Sequence, residues 1–175
     1  MNIILIGFRG TGKTVTGKLA AQHLGWEFID ADDYLEMRTG KDIMSIFDEG
    51  GEKSFREIEE FVVSELCELE HKVIAAGGGA VLSKKNVKNM KKSGVVILLE
   101  ADSDTIYERL QADPKTRKQR PRLTDKDLHD EIVHLLEYRD KYYKKAADYK
   151  IDTSRLTQEE VAQEIITAFK KGSGA

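Results

Sequence analysis

Residues 7–14 read Gly-Phe-Arg-Gly-Thr-Gly-Lys-Thr. They match G-x-x-x-x-G-K-[ST], the phosphate-binding loop of nucleoside-triphosphate enzymes. Gly7, Gly10 and Gly12 permit backbone conformations closed to other residues and let the chain approach an anion closely. Successive N–H groups from Gly10 through Thr11 and Gly12 to Lys13, Thr14 and Val15 can then turn inward. The positive end of a following helix stands behind them. Lys13 can reach the β- and γ-phosphates, and Thr14 can offer its hydroxyl to Mg²⁺.

Three further groups could do chemistry beside that loop. Asp30, Asp32 and Asp33 follow an apolar run at Phe28-Ile29. At the end of a strand they would lie on the edge where α/β sheets bind ligands. In an extended segment Asp30 and Asp32 point the same way. One could hold Mg²⁺ through water and the other bond a substrate hydroxyl, while Asp32 or Asp33 could equally cap a helix. Gly77-Gly78-Gly79 follows another apolar run. It suits a place where backbone N–H groups touch a ligand. Arg56 and Arg139 could each grip a carboxylate through two parallel hydrogen bonds. Each, taken alone, also fits an ordinary surface arginine.

Residues 111–125 carry Lys115, Arg117, Lys118, Arg120 and Arg122 between Asp113-Pro114 and Arg120-Pro121. The prolines break helices there. The composition suits a mobile lid that closes over phosphates, and it suits a solvated charged loop. His23, His71, His129 and His134 show no ligand spacing, so no zinc site is expected. Cys67 is the only cysteine. It rules out an intramolecular disulfide or a thiolate metal cluster, and reads as a small, partly buried side chain.

Those groups need a frame. Apolar runs at 2–6, 27–29, 72–76, 95–99 and 149–151 read as strands. Helical patterns cover 13–23, 33–38, 43–47, 52–68, 84–91, 104–112, 126–146 and 158–170. The alternation predicts a doubly wound α/β domain, a parallel sheet covered by helices on both faces. Thr157-Gln158-Glu159-Glu160 is a capping box that starts the last helix. The 175 residues suit one domain. The net charge of −3 gives no general attraction for nucleic acid or anionic membrane. No apolar run approaches a membrane span. The N-terminal strand leaves no room for a signal peptide, so a cytoplasmic location is expected.

The motifs in this order resemble shikimate kinase. The likeness rests on the phosphate loop, Phe28-Ile29-Asp30-Ala31-Asp32, Gly51-Glu52-Lys53-Ser54-Phe55-Arg56, Gly77-Gly78-Gly79, Arg120-Pro121 and Asp152-Thr153-Ser154. It implies a nucleoside-monophosphate-kinase-like fold over residues 1–175: a three-layer, five-stranded parallel sheet, a substrate-binding helical region near 31–60 and a mobile lid near 112–123. It implies transfer of the γ-phosphate of ATP to the 3-hydroxyl of shikimate, with Mg²⁺, by a monomer needing no nucleic acid or membrane.

By position, Lys13, Asp32 and Arg120 resemble the catalytic residues. Thr14 and Asp30 resemble the metal's partners. Asp32, Arg56, Gly78, Gly79 and Arg139 resemble the shikimate contacts. Arg109 and Arg155 resemble the residues flanking adenine, and the phosphate loop with Arg120 completes the nucleotide site. Where many relatives read Arg-Pro-Leu-Leu in the lid, this chain reads Arg120-Pro121-Arg122-Leu123. That leaves Arg117 as an alternative to Arg120. A gluconate or nucleotide kinase on the same scaffold, or a nucleotide-dependent switch without an acceptor, would share the phosphate loop.

Overall fold

Asn2-Ile3-Ile4-Leu5-Ile6 is apolar on both sides, as a strand covered on both faces must be. The computed structural model describes residues 1–113 and 127–174. In it this segment, β1 (Asn2–Ile6), is the middle strand of the sheet. The others are β2 (Glu27–Asp30), β3 (Lys72–Ala75), β4 (Gly94–Glu100) and β5 (Tyr149–Asp152). All five are parallel, in the order β2-β3-β1-β4-β5. Ile4 lies opposite Ile74 on one side and Val96 on the other.

The helices among the described residues are α1 (Lys13–Leu24), α2 (Ala31–Thr39), α3 (Ile43–Cys67), α4 (Lys84–Ser93), α5 (Ser103–Ala112), α6 (Leu128–Ala146) and α7 (Gln158–Ser173). Alternation along the strands sorts them into two layers. Ile3, Leu5, Val95, Ile97 and Leu99 pack with Ala20 and Ala21 of α1 and with Val161, Ile165 and Phe169 of α7. Ile4, Ile6, Val96 and Leu98 pack with Val62 and Leu66 of α3, Met90 of α4, and Tyr143 and Ala146 of α6. A third cluster joins Phe8 of the phosphate loop to Ile106 and Leu110 of α5 and Ile132 and Leu135 of α6. Gly17 lets α1 lie close to the sheet, since a Cβ there would meet the Phe28 ring at 2.6 Å. Trp26 is packing, edge-on to Phe169 and His71.

Several element ends shift by a few residues from the sequence reading, and two differences bear on the site. The helix expected from residue 33 begins at Ala31, because Asp30 caps it by accepting a hydrogen bond from the Asp32 N–H. Asp30 and Asp32 therefore do not share an extended strand, and neither Asp32 nor Asp33 is the cap. The helices expected at 43–47 and 52–68 form one element, α3, interrupted at Gly51 (φ 68°, ψ −174°). That backbone conformation favours glycine. The capping box of Thr157 and Glu160 forms as expected. Burial pushes the Cys67 thiol up, which fits an unreactive side chain. No helix among the described residues is long and apolar enough to cross a membrane.

Candidate active site

The sheet order reverses beside β1, and a crevice opens there at the carboxyl ends of the strands. The phosphate loop leaves β1 into this crevice. Gly7, Gly10 and Gly12 all take positive φ, at 141°, 79° and 96°. Gly12 caps α1 without any side-chain hydrogen bond, and the first turn of α1 carries no acidic residue. The helix therefore presents its free N–H groups and positive end to the crevice. Lys13 Nζ folds back onto the loop, donating to the Gly7 carbonyl at 2.8 Å and the Phe8 carbonyl at 2.9 Å.

The Asp30 carboxylate joins two elements. Its Oδ1 caps α2, and its Oδ2 accepts a hydrogen bond from Thr14 Oγ1 at 2.9 Å. A hydroxyl and a carboxylate side by side are the hard oxygen donors that suit Mg²⁺. No cluster of three or more His, Cys, Asp or Glu suited to a metal occurs among the described residues.

Two cavities meet in the crevice. The cleft is lined by Gly10, Thr11, Gly12, Lys13, Thr14 and Val15, and by Asp30 and Arg109. The adjoining pocket is lined by Arg56, Arg139, Gly78, Gly79, Glu59 and the rings of Phe8, Phe47 and Phe55. Among the described residues, only Arg9, Asp32 and Ile43 line both. Asp32 thus stands between the phosphate loop and the pocket.

The pocket is built around cations. Arg139 is 6% exposed, and its Nε makes no hydrogen bond. It forms no ion pair among the described residues. Its guanidinium carbon lies 5.7 Å from the centre of the Phe8 ring. Glu59 acts on Arg139 only at a distance, so this buried guanidinium keeps a donor open to an anion in the pocket. Arg56 donates from Nη1 to Glu59 at 2.7 Å and from Nη2 to Glu52 at 3.2 Å. Burial lowers the Arg56 guanidinium, but Glu59 and Glu52 outweigh it and the net direction is up. Burial pushes the Glu59 carboxyl above its ordinary range, more strongly than Arg56 and Arg139 draw it down. Arg9 donates from Nη2 to the buried Glu131 at 2.9 Å. Burial lowers the Arg9 guanidinium, Glu131 opposes this, and Arg139 adds to it.

The glycine triplet also makes room for its neighbours. None of Gly77, Gly78 and Gly79 has a positive φ. Gly77 and Gly79 provide clearance. A Cβ at Gly77 would meet Glu59 Oε1 at 2.8 Å and Asp32 Oδ1 at 3.0 Å. A Cβ at Gly79 would collide with the Arg56 guanidinium. The Gly78 carbonyl accepts a hydrogen bond from the Tyr143 hydroxyl at 2.6 Å.

Arg109 reaches the phosphate loop from α5. It donates to the Gly10 carbonyl at 3.2 Å, and to Thr153 Oγ1 at 3.0 Å and the Thr153 carbonyl at 2.8 Å. Arg155 is exposed and lines neither cavity. Arg120, its alternative Arg117 and most of the expected lid lie outside the described residues. Sequence reasoning missed Arg9, Glu59, Glu131 and the three phenylalanines. Glu59 had one available signal, its i,i+3 spacing from Arg56 on a helix.

The family model described as shikimate kinase matches residues 9–170. A shikimate kinase of Thermodesulfovibrio yellowstonii is 45% identical over 170 residues, covering 97% of this chain and 95% of that one. Another, of Caldanaerobacter subterraneus subsp. tengcongensis, is 43% identical over 173 residues, covering 99% and 98%. A solved shikimate kinase from Acinetobacter baumannii, in complex with shikimate, superposes with a TM-score of 0.88 at 35% identity. It covers 95% of this chain and 90% of its own.

Proposed function

The chain belongs to the shikimate kinase family, and from that membership we propose how its residues divide the work. The enzyme transfers the γ-phosphate of ATP to the 3-hydroxyl of shikimate, giving ADP and shikimate 3-phosphate on the way to chorismate and the aromatic amino acids. This sets aside the gluconate-kinase, nucleotide-kinase and switch alternatives.

ATP lies along the cleft with its phosphates on the loop's N–H groups and Lys13 against the γ-phosphate. Thr14 and Asp30 hold the Mg²⁺ that supplies charge neutralisation to the phosphates. Shikimate occupies the pocket. Its carboxylate takes the open donor of Arg139, and Arg56 completes the clamp. Asp32 accepts a hydrogen bond from the 3-hydroxyl and aims its oxygen at the γ-phosphorus.

As transfer proceeds, the bond from phosphorus to the ADP oxygen breaks and its electron pair leaves with ADP. The bond to the 3-oxygen forms, and the hydroxyl proton passes to the Asp32 carboxylate. Loose phosphoryl-transfer transition states gain more from positioning and charge than from a strong base, so orientation is the larger part of Asp32's role. Arg109 steadies the loop through Gly10 and Thr153, next to where the base would lie. The enzyme acts as a cytoplasmic monomer on these small molecules alone, without nucleic acid or membrane.

The observation that carries this reading is the placement of Asp32 on the boundary shared by the phosphate cleft and the cationic pocket. The test is ADP release with ATP and Mg²⁺ across shikimate, quinate, gluconate and nucleoside monophosphates. Stimulation by shikimate alone is expected. Equal stimulation by a nucleoside monophosphate would overturn the assignment of the pocket.

A further inference from the structure

Position 9 is one of the unspecified positions of the phosphate-loop motif, so the motif does not call for an arginine there. Arg9 nevertheless stands in a particular place. Lys13 and Thr14 line only the cleft, and Arg56 and Arg139 line only the pocket. Among the described residues, Arg9 is the one cation that lines both. It is also held. Glu131, buried on α6, accepts a hydrogen bond from Nη2 at 2.9 Å, and the Phe8 ring lies beneath the guanidinium at 5.8 Å. Its Nε and Nη1 make no hydrogen bond among the described residues. An arginine anchored at one corner, with donors left over, is preorganised to take an anion bidentately or nearly so.

The position selects the anion. In the reading above, ADP stays in the cleft and the shikimate carboxylate stays on Arg56 and Arg139. The only charged group that passes from one cavity to the other is the transferred phosphoryl group. We propose that Arg9, positioned by Glu131, binds the phosphoryl group on the acceptor side. It would thus recognise shikimate 3-phosphate over shikimate and steady the charge of the group in flight. Asp32 and Arg9 then form a pair on the boundary, the carboxylate serving the hydroxyl and the guanidinium serving the phosphorus.

The proposal rests on the functional reading above, and its test separates the two. Dissociation constants for shikimate and for shikimate 3-phosphate are measured by calorimetry on wild type, Arg9→Met and Arg9→Lys, together with kcat and KM. Met keeps the aliphatic stem over Phe8, and Lys keeps the charge without the fork. Arg9→Met is expected to weaken shikimate 3-phosphate about ten- to a hundredfold, the scale of a hydrogen bond to a charged group. Shikimate affinity should hold, and kcat should fall while the KM for shikimate stays near wild type. Arg9→Lys should recover part of both losses.

Retained shikimate binding in the variant also shows that it is folded. An equal change in both affinities, or in neither, would overturn the role of Arg9 while leaving the function intact. Failure of wild type to bind either compound would overturn the functional reading, and this proposal with it.

Discussion

The Arg56 guanidinium fills the space that a side chain on Gly79 would need, so the two positions are spatially exclusive. Arg56 is held there from below by Glu59 and from the side by Glu52. Gly79→Ala should therefore mimic loss of the arginine by displacing it. The KM for shikimate should rise about ten- to a hundredfold, the scale of one or two hydrogen bonds to a charged group, with little change in ATP affinity. Arg56→Ala should give the same pattern. Steady-state kinetics with each substrate varied in turn would check this, and an effect confined to ATP would refute it.

Lys13→Ala leaves the loop's N–H groups in place and removes the cation. Turnover should fall by roughly 2–4 kcal/mol of transition-state stabilisation. The thermal unfolding midpoint should fall only slightly, by the loss of the lysine's hydrogen bonds to the Gly7 and Phe8 carbonyls at 2.8 and 2.9 Å. Activity within tenfold of wild type would remove Lys13 from the phosphate site.

Asp32 and Asp33 are neighbours in the first turn of α2, which makes them a matched pair for comparison. Asp32→Asn keeps the shape but loses the charge, and should lower kcat about 10²-fold, the scale of a positioned acid–base group. ATP binding should persist. Asp33 is exposed and is not the cap. Asp33→Asn should cost only the helix-dipole contribution, about 0.3–1 kcal/mol of stability. Similar kinetic damage from both would mean that the wrong carboxylate has been assigned.

Glu59 gives stability a pH dependence of definite sign. Its folded pKa is raised above the ordinary 4.5, chiefly by burial. Between the ordinary value and the raised one, the folded protein binds more protons than the unfolded chain. Stability from this group is therefore highest below about 4.5 and falls as pH rises through the folded pKa. Glu59→Gln should abolish that slope. Urea midpoints for wild type minus variant, followed upward from pH 4.5, should decline with pH. A difference that rises with pH would show that Arg56 and Arg139 outweigh burial at this carboxyl.

The phosphate loop was legible because its chemistry is contiguous: eight residues in a row both bind the anion and start α1. The layers were legible because alternation such as Ile3/Ile4/Leu5/Ile6 assigns each strand residue to a face before any contact is known. Three things were not. The start of α2 depends on which of Asp30, Asp32 and Asp33 accepts a backbone N–H, and all three are competent caps. The clearance role of Gly77 and Gly79 depends on side chains brought from α2 and α3. The anchoring of Arg9 depends on Glu131, far along the chain on α6, and a motif with an open position there gives no sign of it.

The pairing of β1 bears on how the chain acquires its structure. Ile4 is hydrogen-bonded into a sheet whose adjacent rungs come from Ile74 and Val96. Both flanks of the middle strand are thus closed by segments that emerge much later in synthesis. Until then Asn2–Ile6 is an apolar ribbon with two open edges, the kind of segment prone to mispair. The loop that grips phosphate hangs from that ribbon. Nucleotide binding is accordingly a late property of the growing chain, acquired only once β3 and β4 have docked.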